Sequence, residues 1–296
     1  MDSVMIQAAD NSHHFFPDGS SEKGDQTCGI WPIKGKRFIT KIDDVFDTET
    51  LKKVTNDITD MRSAPNSKRY TNVVRIPLVG AFSNFPTYNL VTPVTQFGED
   101  GKIANKDNLI EWLKEKKASA TVVDFTFSSI EKMASLGGWS NTTVPVAAFF
   151  IRYELKTDAT QLSNFPWHRD INSLSMTSVI TPCHQEHGSF AGGELFFAER
   201  TPDYNEYNRH DGGVNTVLSH TIKKFTYPYG GCLFFENLWS QHKVNDIEMV
   251  SGHNCERTLF SIFANPNPDQ LESFISKNRN LATDAPPPED RACLIV

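Results

Sequence analysis

The residue types best suited to chemistry lie close together in the segment Pro166-Trp167-His168-Arg169-Asp170. If this segment is an extended strand, side-chain alternation places His168 and Asp170 on the same face. An imidazole and a carboxylate on one face can share a metal ion, and a second imidazole from elsewhere would leave three coordination positions open. That ligand set is typical of non-haem iron(II) sites.

The same tripeptide has two other interpretations. One is a histidine that is hydrogen-bonded to a nearby carboxylate on an ordinary strand, and a lone His-x-Asp does not exclude it. The other is the catalytic loop of a protein kinase, in which an asparagine follows five residues after the aspartate. Ser175 occupies that position here, and no glycine-rich loop precedes the motif, so the kinase interpretation fails.

A third metal ligand must come from another histidine, and three segments offer candidates. These are His184 and His187 in a polar loop, His210 and His220 on either side of a glycine-rich turn, and His242. His242 follows a strand-like segment, 232–236, by a short turn and is itself followed by Lys243-Val244. A ligand at the start of a strand is held more rigidly than one in a polar loop, so His242 is the best candidate.

The elements that must position these residues differ between the two halves of the chain. The first half is mixed: helical spacing or composition predicts helices over 47–61, 108–117 and 125–136, and a strand over 70–78. The second half carries short apolar segments separated by turn-forming residues, at 144–155, 174–180, 194–198, 232–236 and 258–264. Such a series of short strands predicts an antiparallel sandwich or jelly roll.

The surrounding motifs carry a family resemblance. They are Ile151-Arg152-Tyr153-Glu154, then His168-Arg169-Asp170, Gly192-Gly193-Glu194-Leu195-Phe196-Phe197, the segment 227–235 (YPYGGCLFF), His242-Lys243-Val244 and Arg257. In this order they resemble the prolyl-4-hydroxylase-like branch of the iron(II)/2-oxoglutarate dioxygenases. Several motifs in the family's order are far more specific than any one of them. The first 140 or so residues carry no recognisable motif.

The resemblance implies a double-stranded β-helix that brings His168, Asp170 and His242 together at the mouth of a barrel. Gly192 and Gly193 would permit a tight turn before an inner strand. It also implies that the cofactors are iron(II), the co-substrate 2-oxoglutarate and O₂, with release of succinate and CO₂. Family halogenases lack the metal-binding carboxylate, so the presence of Asp170 disfavours halogenation.

Two residues are candidates for binding the co-substrate. Arg257 points inward if its strand alternates with Leu259 and Ser261, and a buried guanidinium requires an anion that its fork geometry can bind. By resemblance that anion is the C5 carboxylate of 2-oxoglutarate, and the alternative is a structural ion pair with Glu256 or another acid. Tyr153 is a second candidate for the same carboxylate, and its alternative is a half-buried core tyrosine. Trp167 is expected to pack in the core, or else to wall the pocket.

Composition excludes several classes of protein. The chain has 29 Lys and Arg against 36 Asp and Glu, a formal net charge of −7, which disfavours a nucleic-acid binder. The five cysteines are odd in number and form no Cys-x-x-Cys pair, so neither a disulfide framework nor a structural zinc site is indicated. No apolar run is long enough for an integral membrane segment, and the N-terminus does not resemble a signal peptide. A cytoplasmic location is predicted.

The domain prediction is one oxygenase domain with two flexible ends. The N-terminal arm is 1–28, and the domain is 29–281, made of a mixed α/β support region (29–143), a jelly-roll core (144–266) and a C-terminal helix (267–281). The tail is 282–296. The last four residues, Cys293-Leu294-Ile295-Val296, fit a prenylation pattern, but valine is atypical at the end and a chance apolar tail is the better interpretation.

Three functions remain open from the sequence. The first is a small-molecule biosynthetic oxygenase that acts on an amino-acid-derived or natural-product intermediate by hydroxylation or oxidative cyclisation. The second is an intracellular protein hydroxylase of the prolyl type. The third, a catalytically silent binding protein of the same fold, is disfavoured because all three expected metal ligands are present.

Overall fold

The computed structural model describes residues 39–58, 61, 73–79, 95–115, 117–144, 146–156, 165–168, 174–199, 217–237 and 240–264. The predicted N-terminal arm, the helix 267–281, the tail and Cys293 lie outside the described residues. The helices are α1 (Thr48–Asp57), α2 (Lys106–Glu115) and α3 (Ala120–Gly137). The strands are β1 (Ile39–Ile42), β2 (Val73–Val79), β3 (Thr95–Phe97), β4 (Thr142–Val144), β5 (Val146–Lys156), β6 (Phe165–His168), β7 (Leu174–Val179), β8 (His184–Gln185), β9 (Gly188–Gly192), β10 (Leu195–Glu199), β11 (Lys223–Phe225), β12 (Cys232–Glu236), β13 (Ser240–Val244), β14 (Ile247–Gly252) and β15 (Asn254–Ala264).

A six-stranded antiparallel sheet forms the main wall of the fold, in the order β1-β12-β7-β15-β5-β2. Its longest pairing joins β15 to β5 over eleven residues each, and Arg257 lies directly opposite Tyr153 in that register. Two smaller sheets have the orders β11-β10-β13-β6 and β14-β9-β8. From β5 onward the chain passes repeatedly between the large sheet and these two smaller sheets, as in the winding of a jelly roll. The predicted fold class, mainly β with flanking helices around a jelly roll, is confirmed.

The inner face of the large sheet packs against the smaller sheets. A single buried cluster joins Ile151 and Leu259 of the large sheet to Leu195 and Val244 of the four-stranded sheet. Alternation along each strand explains this arrangement, because residues two apart share a face. Phe235 of β12 contacts Phe197 of β10 with their ring centroids 5.8 Å apart, which ties the two walls together across the interior.

The opposite face of the large sheet is covered by helices. Phe260 of β15 has no exposed surface and contacts Phe125 of α3, with ring centroids 4.8 Å apart. Ser119 begins α3 by accepting a hydrogen bond from Val122 N, and Gly138 ends it in a left-handed conformation with φ of 68°. These caps fix where α3 begins and ends, and its buried aromatic contacts cover the large sheet from behind. No helix among the described residues is long and apolar enough to cross a membrane.

The predicted elements are present with shifted ends. The helix predicted over 125–136 begins earlier, at Ala120, and the strand predicted over 258–264 begins at Asn254. The predicted helix 47–61 is shorter, because regular α-helix ends at Asp57. Long-range pairing extends the strands beyond their apolar segments. β15 continues from Arg257 back to Asn254 because each of these residues pairs with a residue of β5.

Candidate metal and co-substrate site

Two histidines meet inside the barrel on neighbouring strands. His168 ends β6 and His242 lies in the middle of β13, and the two residues are cross-strand partners. Their ring centroids are 4.3 Å apart, so one ion between the rings could contact a nitrogen of each. The structure thus brings together the two imidazoles that the sequence singled out.

The surroundings of His242 keep its imidazole neutral. Its side chain is buried, and its ring centroid lies 5.2 Å from that of Phe235. Burial lowers the pKa of His242 well below its ordinary value, and the neighbouring His168 lowers it further. A neutral imidazole has a lone pair available for a metal ion. The donor chemistry therefore fits a borderline divalent cation such as iron(II).

The third predicted ligand, Asp170, lies outside the described residues. Among the residues that the structure does describe, no third histidine, cysteine or carboxylate joins the two imidazoles. His184 and His187 lie apart from them, in an open surface cleft of about 430 Å³ that His253 also lines. His220 is exposed on a short 3₁₀ turn, and His210 falls outside the described residues. Asp170 stays a prediction.

A small cavity of about 30 Å³ lies beside the two histidines, inside the barrel. Its polar lining consists of Tyr153, His168, Thr177, Tyr227, His242 and Ser261. The rest of its lining is apolar and comes from both sheets. A cavity of this size admits little more than a water molecule. A larger ligand can enter only if lining side chains move apart.

Arg257 lies beyond the inner end of this cavity. Phe263, Ser261 and Leu259 of β15 line the cavity in turn, and Arg257 is the next residue of that strand with the same facing. The Arg257 side chain is 1% exposed, and its burial lowers the pKa of the guanidinium. Arginine stays charged even so. A cation is therefore held inside the protein, as the inward alternation of β15 predicted.

The carboxylates near Arg257 form ion pairs with other residues. Glu256 points the other way on β15 and lies 3.9 Å from Arg152, which also contacts Glu154 at 3.4 Å. Glu194 forms an ion pair with Lys224 at 2.7 Å, and this pairing lowers the pKa of Glu194. Among the described residues Arg257 forms no ion pair, so the proposed alternative of a Glu256–Arg257 pair is wrong.

The guanidinium of Arg257 is instead held by a carbonyl and two aromatic rings. Its Nη2 donates a hydrogen bond of 2.8 Å to the carbonyl oxygen of Gly193. Its Cζ lies 5.6 Å from the ring centroid of Tyr153 and 5.5 Å from that of Tyr227, distances at which a cation is attracted to an aromatic face. Nη1 is buried and has no hydrogen-bond partner among the described residues. One N–H edge of a buried cation is thus left for an anionic ligand.

The two glycines before β10 make different contacts. Gly192 and Gly193 have φ of 83° and 72°, which side chains rarely adopt, so the predicted tight turn is confirmed. A Cβ on Gly192 would lie 2.0 Å from the carbonyl oxygen of Asp246. A Cβ on Gly193 would lie 2.7 Å from Cζ of Arg257. The second glycine therefore leaves the space that the guanidinium fills.

Trp167 lies on the other side of the small sheet from the histidines. It is buried with Ala198 and Val217, and Nζ of Lys243 lies 5.6 Å from its ring centroid. Alternation along β6 explains this placement, because neighbouring residues point to opposite faces. Trp167 is thus a packed aromatic residue, as expected, and does not wall the cavity.

Sequence reasoning missed several polar residues of the interior. Tyr227 was quoted only as part of a motif, and Thr177 and Ser261 were not singled out as lining residues. Nδ2 of Asn237, at the end of β12, donates a 2.7 Å hydrogen bond to Oγ of Ser175, and both residues are buried. Alternation along β12 and β7 could have indicated Asn237 and Ser175, because they continue the inward sides that carry Phe235 and Thr177.

Sequence comparisons give no match, because neither a family model nor a curated protein matches the chain. Solved structures similar to it include an oxidoreductase of the 2OG-Fe(II) oxygenase family from Burkholderia pseudomallei, with TM-score 0.39 and 13% identity, covering 77% of this chain and 84% of that one. HygX from Streptomyces hygroscopicus, solved with nickel and 2-oxoglutarate, has TM-score 0.44 and 9% identity, covering 76% and 82%. A prolyl hydroxylase from Trichoplax adhaerens, solved with a peptide fragment, has TM-score 0.38 and 11% identity, covering 79% and 86%. Likeness at this level does not decide the activity, which must be argued from the site.

Proposed function

We propose that this chain is an iron(II)- and 2-oxoglutarate-dependent oxygenase that oxidises an unactivated C–H bond of a small molecule. One observation carries the proposal. A pair of imidazoles, one buried and one half-buried, lies at one side of an interior cavity, and a buried arginine without a carboxylate partner among the described residues lies beyond its inner end. A ligand that suits both has a metal-chelating group at one end and a carboxylate at the other. 2-Oxoglutarate is such a molecule.

Each residue of the site has a defined role in the proposed reaction. His168 and His242 would hold the iron through ring nitrogens, with Asp170 as the proposed third ligand. Arg257 would bind the C5 carboxylate, and Tyr153 borders the same position. Iron(II), when bound, supplies the redox chemistry that couples oxidative decarboxylation of 2-oxoglutarate to oxidation of the substrate. For hydroxylation, 2-oxoglutarate, O₂ and R–H give succinate, CO₂ and R–OH.

The walls of the cavity would protect this reaction from water. Phe235, Phe263 and Leu259 line it with apolar surface, and exclusion of water strengthens the interaction between Arg257 and a carboxylate. A small cavity also suits a compact substrate group. We therefore propose an amino-acid-derived or natural-product intermediate as substrate, oxidised by hydroxylation or oxidative cyclisation.

The test is turnover of 2-oxoglutarate by the purified chain. Protein is incubated with iron(II), 2-oxoglutarate and air, and succinate is measured while amino-acid-derived small molecules are compared with proline-containing peptides. Small molecules should stimulate succinate formation, and His242→Ala should abolish it. Stimulation by peptides alone would replace the small-molecule proposal with a protein hydroxylase. Absence of turnover together with absence of iron binding would contradict the enzyme proposal.

A further inference from the structure

The environment of Arg257 is built around one orientation of its guanidinium. Nη2 is fixed by the carbonyl oxygen of Gly193, at 2.8 Å. The face of the guanidinium packs so closely on Gly193 that any Cβ there would overlap Cζ, Nε and Nη2, at 2.7 to 2.9 Å. Rotation of the guanidinium about its long axis would break this hydrogen bond. The orientation therefore depends on Gly193.

Tyr227 reaches the same guanidinium from a different part of the chain. It lies between β11 and β12, and among the described residues that line the cavity it is the one that does not belong to a strand. Its ring centroid is 5.5 Å from Cζ of Arg257, almost the same distance as that of Tyr153. Tyr227 thus contacts both the cation and the space that a ligand would enter.

These contacts leave one N–H edge of the Arg257 guanidinium open. Nη1 has no hydrogen-bond partner among the described residues, although the side chain is buried. A buried charged donor without a partner is destabilising, so an anion that fills this position binds favourably. A displaced guanidinium would still be positively charged, but its N–H groups would no longer point at the same place.

We propose that Gly193 and Tyr227 are positioning residues that orient the Arg257 guanidinium, and that this orientation makes the site select 2-oxo acids with a second, distal carboxylate. The inference rests on the proposed function, because it takes 2-oxoglutarate as the ligand. It extends that function by assigning the selectivity to two residues that do not themselves bind the metal. Gly193 acts through its backbone, and Tyr227 acts through its ring, which packs on the guanidinium.

The experiment compares two ligands that differ only at the distal end. 2-Oxoglutarate and 2-oxovalerate share the chelating group and chain length, but 2-oxovalerate has a methyl group in place of the distal carboxylate. Dissociation constants of both are measured by calorimetry on the full chain with iron(II) under anaerobic conditions. The wild-type protein should prefer 2-oxoglutarate by roughly 10- to 100-fold, the range expected for a charged hydrogen bond. Gly193→Ala and Tyr227→Leu should reduce that preference towards unity.

Matched variants separate a loss of Arg257 orientation from a general destabilisation of the fold. Gly101→Ala carries the same backbone strain, since φ is 71° at Gly101 and 72° at Gly193, but it lies away from Arg257. Tyr229→Leu removes a more exposed tyrosine of the same loop. Both variants should keep the wild-type preference. If Gly193→Ala does not fold, Tyr227→Leu still provides the test.

Two results would overturn the inference in distinguishable ways. If Gly193→Ala and Tyr227→Leu keep the wild-type preference, or weaken both ligands equally, neither residue orients Arg257. If the wild-type protein binds the two acids equally or binds neither, the proposed function fails and the inference fails with it.

Discussion

At the scale of single residues, the site places imidazoles and the charged guanidinium of Arg257 in the same protein interior. The imidazole of His242 is neutral because burial lowers its pKa, whereas Arg257 keeps its charge although burial lowers its pKa. The guanidinium is stabilised by a carbonyl oxygen and two aromatic rings instead of a carboxylate. This arrangement leaves the cation available to a ligand, which an internal ion pair would not.

Replacement of Arg257 by lysine tests the importance of guanidinium geometry. Arg257→Lys keeps the charge but removes the planar fork, so 2-oxoglutarate should bind about tenfold more weakly or worse, while iron binding persists. Calorimetry with iron(II) present measures both. Arg152→Lys is the control, because Arg152 lies on the facing strand β5 and points to the opposite face. Equal affinities in wild type and Arg257→Lys would remove Arg257 from the co-substrate site.

At the scale of elements, β15 links the site to the helical layer. Its inward residues Leu259, Ser261 and Phe263 line the cavity, and Arg257 follows them on the same side of the strand. On its outward side Phe260 packs on α3. β15 is central in the large sheet, between β7 and β5, so its position is fixed from both sides. The site is rigid on this wall because each face of the strand has its own buried cluster.

Truncation of a side chain on the outward face of β15 should destabilise the fold without altering the site. Phe260→Ala removes a ring that contacts Phe125 and Phe150 at 4.8 and 5.2 Å, and should lower the free energy of unfolding by about 3–5 kcal/mol. Urea denaturation measures this loss. Val250→Ala, at a residue 64% exposed on β14, should change it by less than about 0.5 kcal/mol. Iron affinity of folded Phe260→Ala should match wild type, and a large loss would show that the two faces are coupled.

At the scale of the whole molecule, the buried imidazole of His242 makes stability depend on pH. The pKa of His242 is lower in the folded protein than in the unfolded chain, where it is about 6.5. Below that pH the unfolded chain binds a proton that folded His242 does not. The contribution of neutral His242 to the free energy of unfolding is therefore fully present above about pH 6.5 and is lost as the pH falls through the folded pKa.

The metal-free protein should therefore unfold more easily in acid, and His242 should account for part of the change. The free energy of unfolding is measured in urea between pH 8 and pH 5 with a chelator present. His242→Gln, which has no titrating group, should show a shallower fall than the wild-type protein. Identical pH profiles for the two proteins would mean that His242 is not held neutral by the fold.

Much of this arrangement could be predicted from the sequence, for identifiable reasons. Strand alternation placed Arg257 inward, and the motif order selected His242 over the loop histidines. The pairing of β1 with β12 was not predictable, because four residues carry too little pattern and the partner lies far along the chain. Tyr227 was missed for a similar reason, since its contact with Arg257 depends on how a loop returns over the sheet.

The central claim is that His168 and His242 bind iron(II) and that the bound metal and Arg257 together bind 2-oxoglutarate. Its most direct test is anaerobic equilibrium dialysis of iron(II) against wild type, His242→Ala and His187→Ala, with and without 2-oxoglutarate. One iron per chain is expected in wild type and His187→Ala, with tighter iron binding when 2-oxoglutarate is added, and no stoichiometric iron in His242→Ala. Iron bound equally by His242→Ala, or not bound by the wild-type protein, would contradict it.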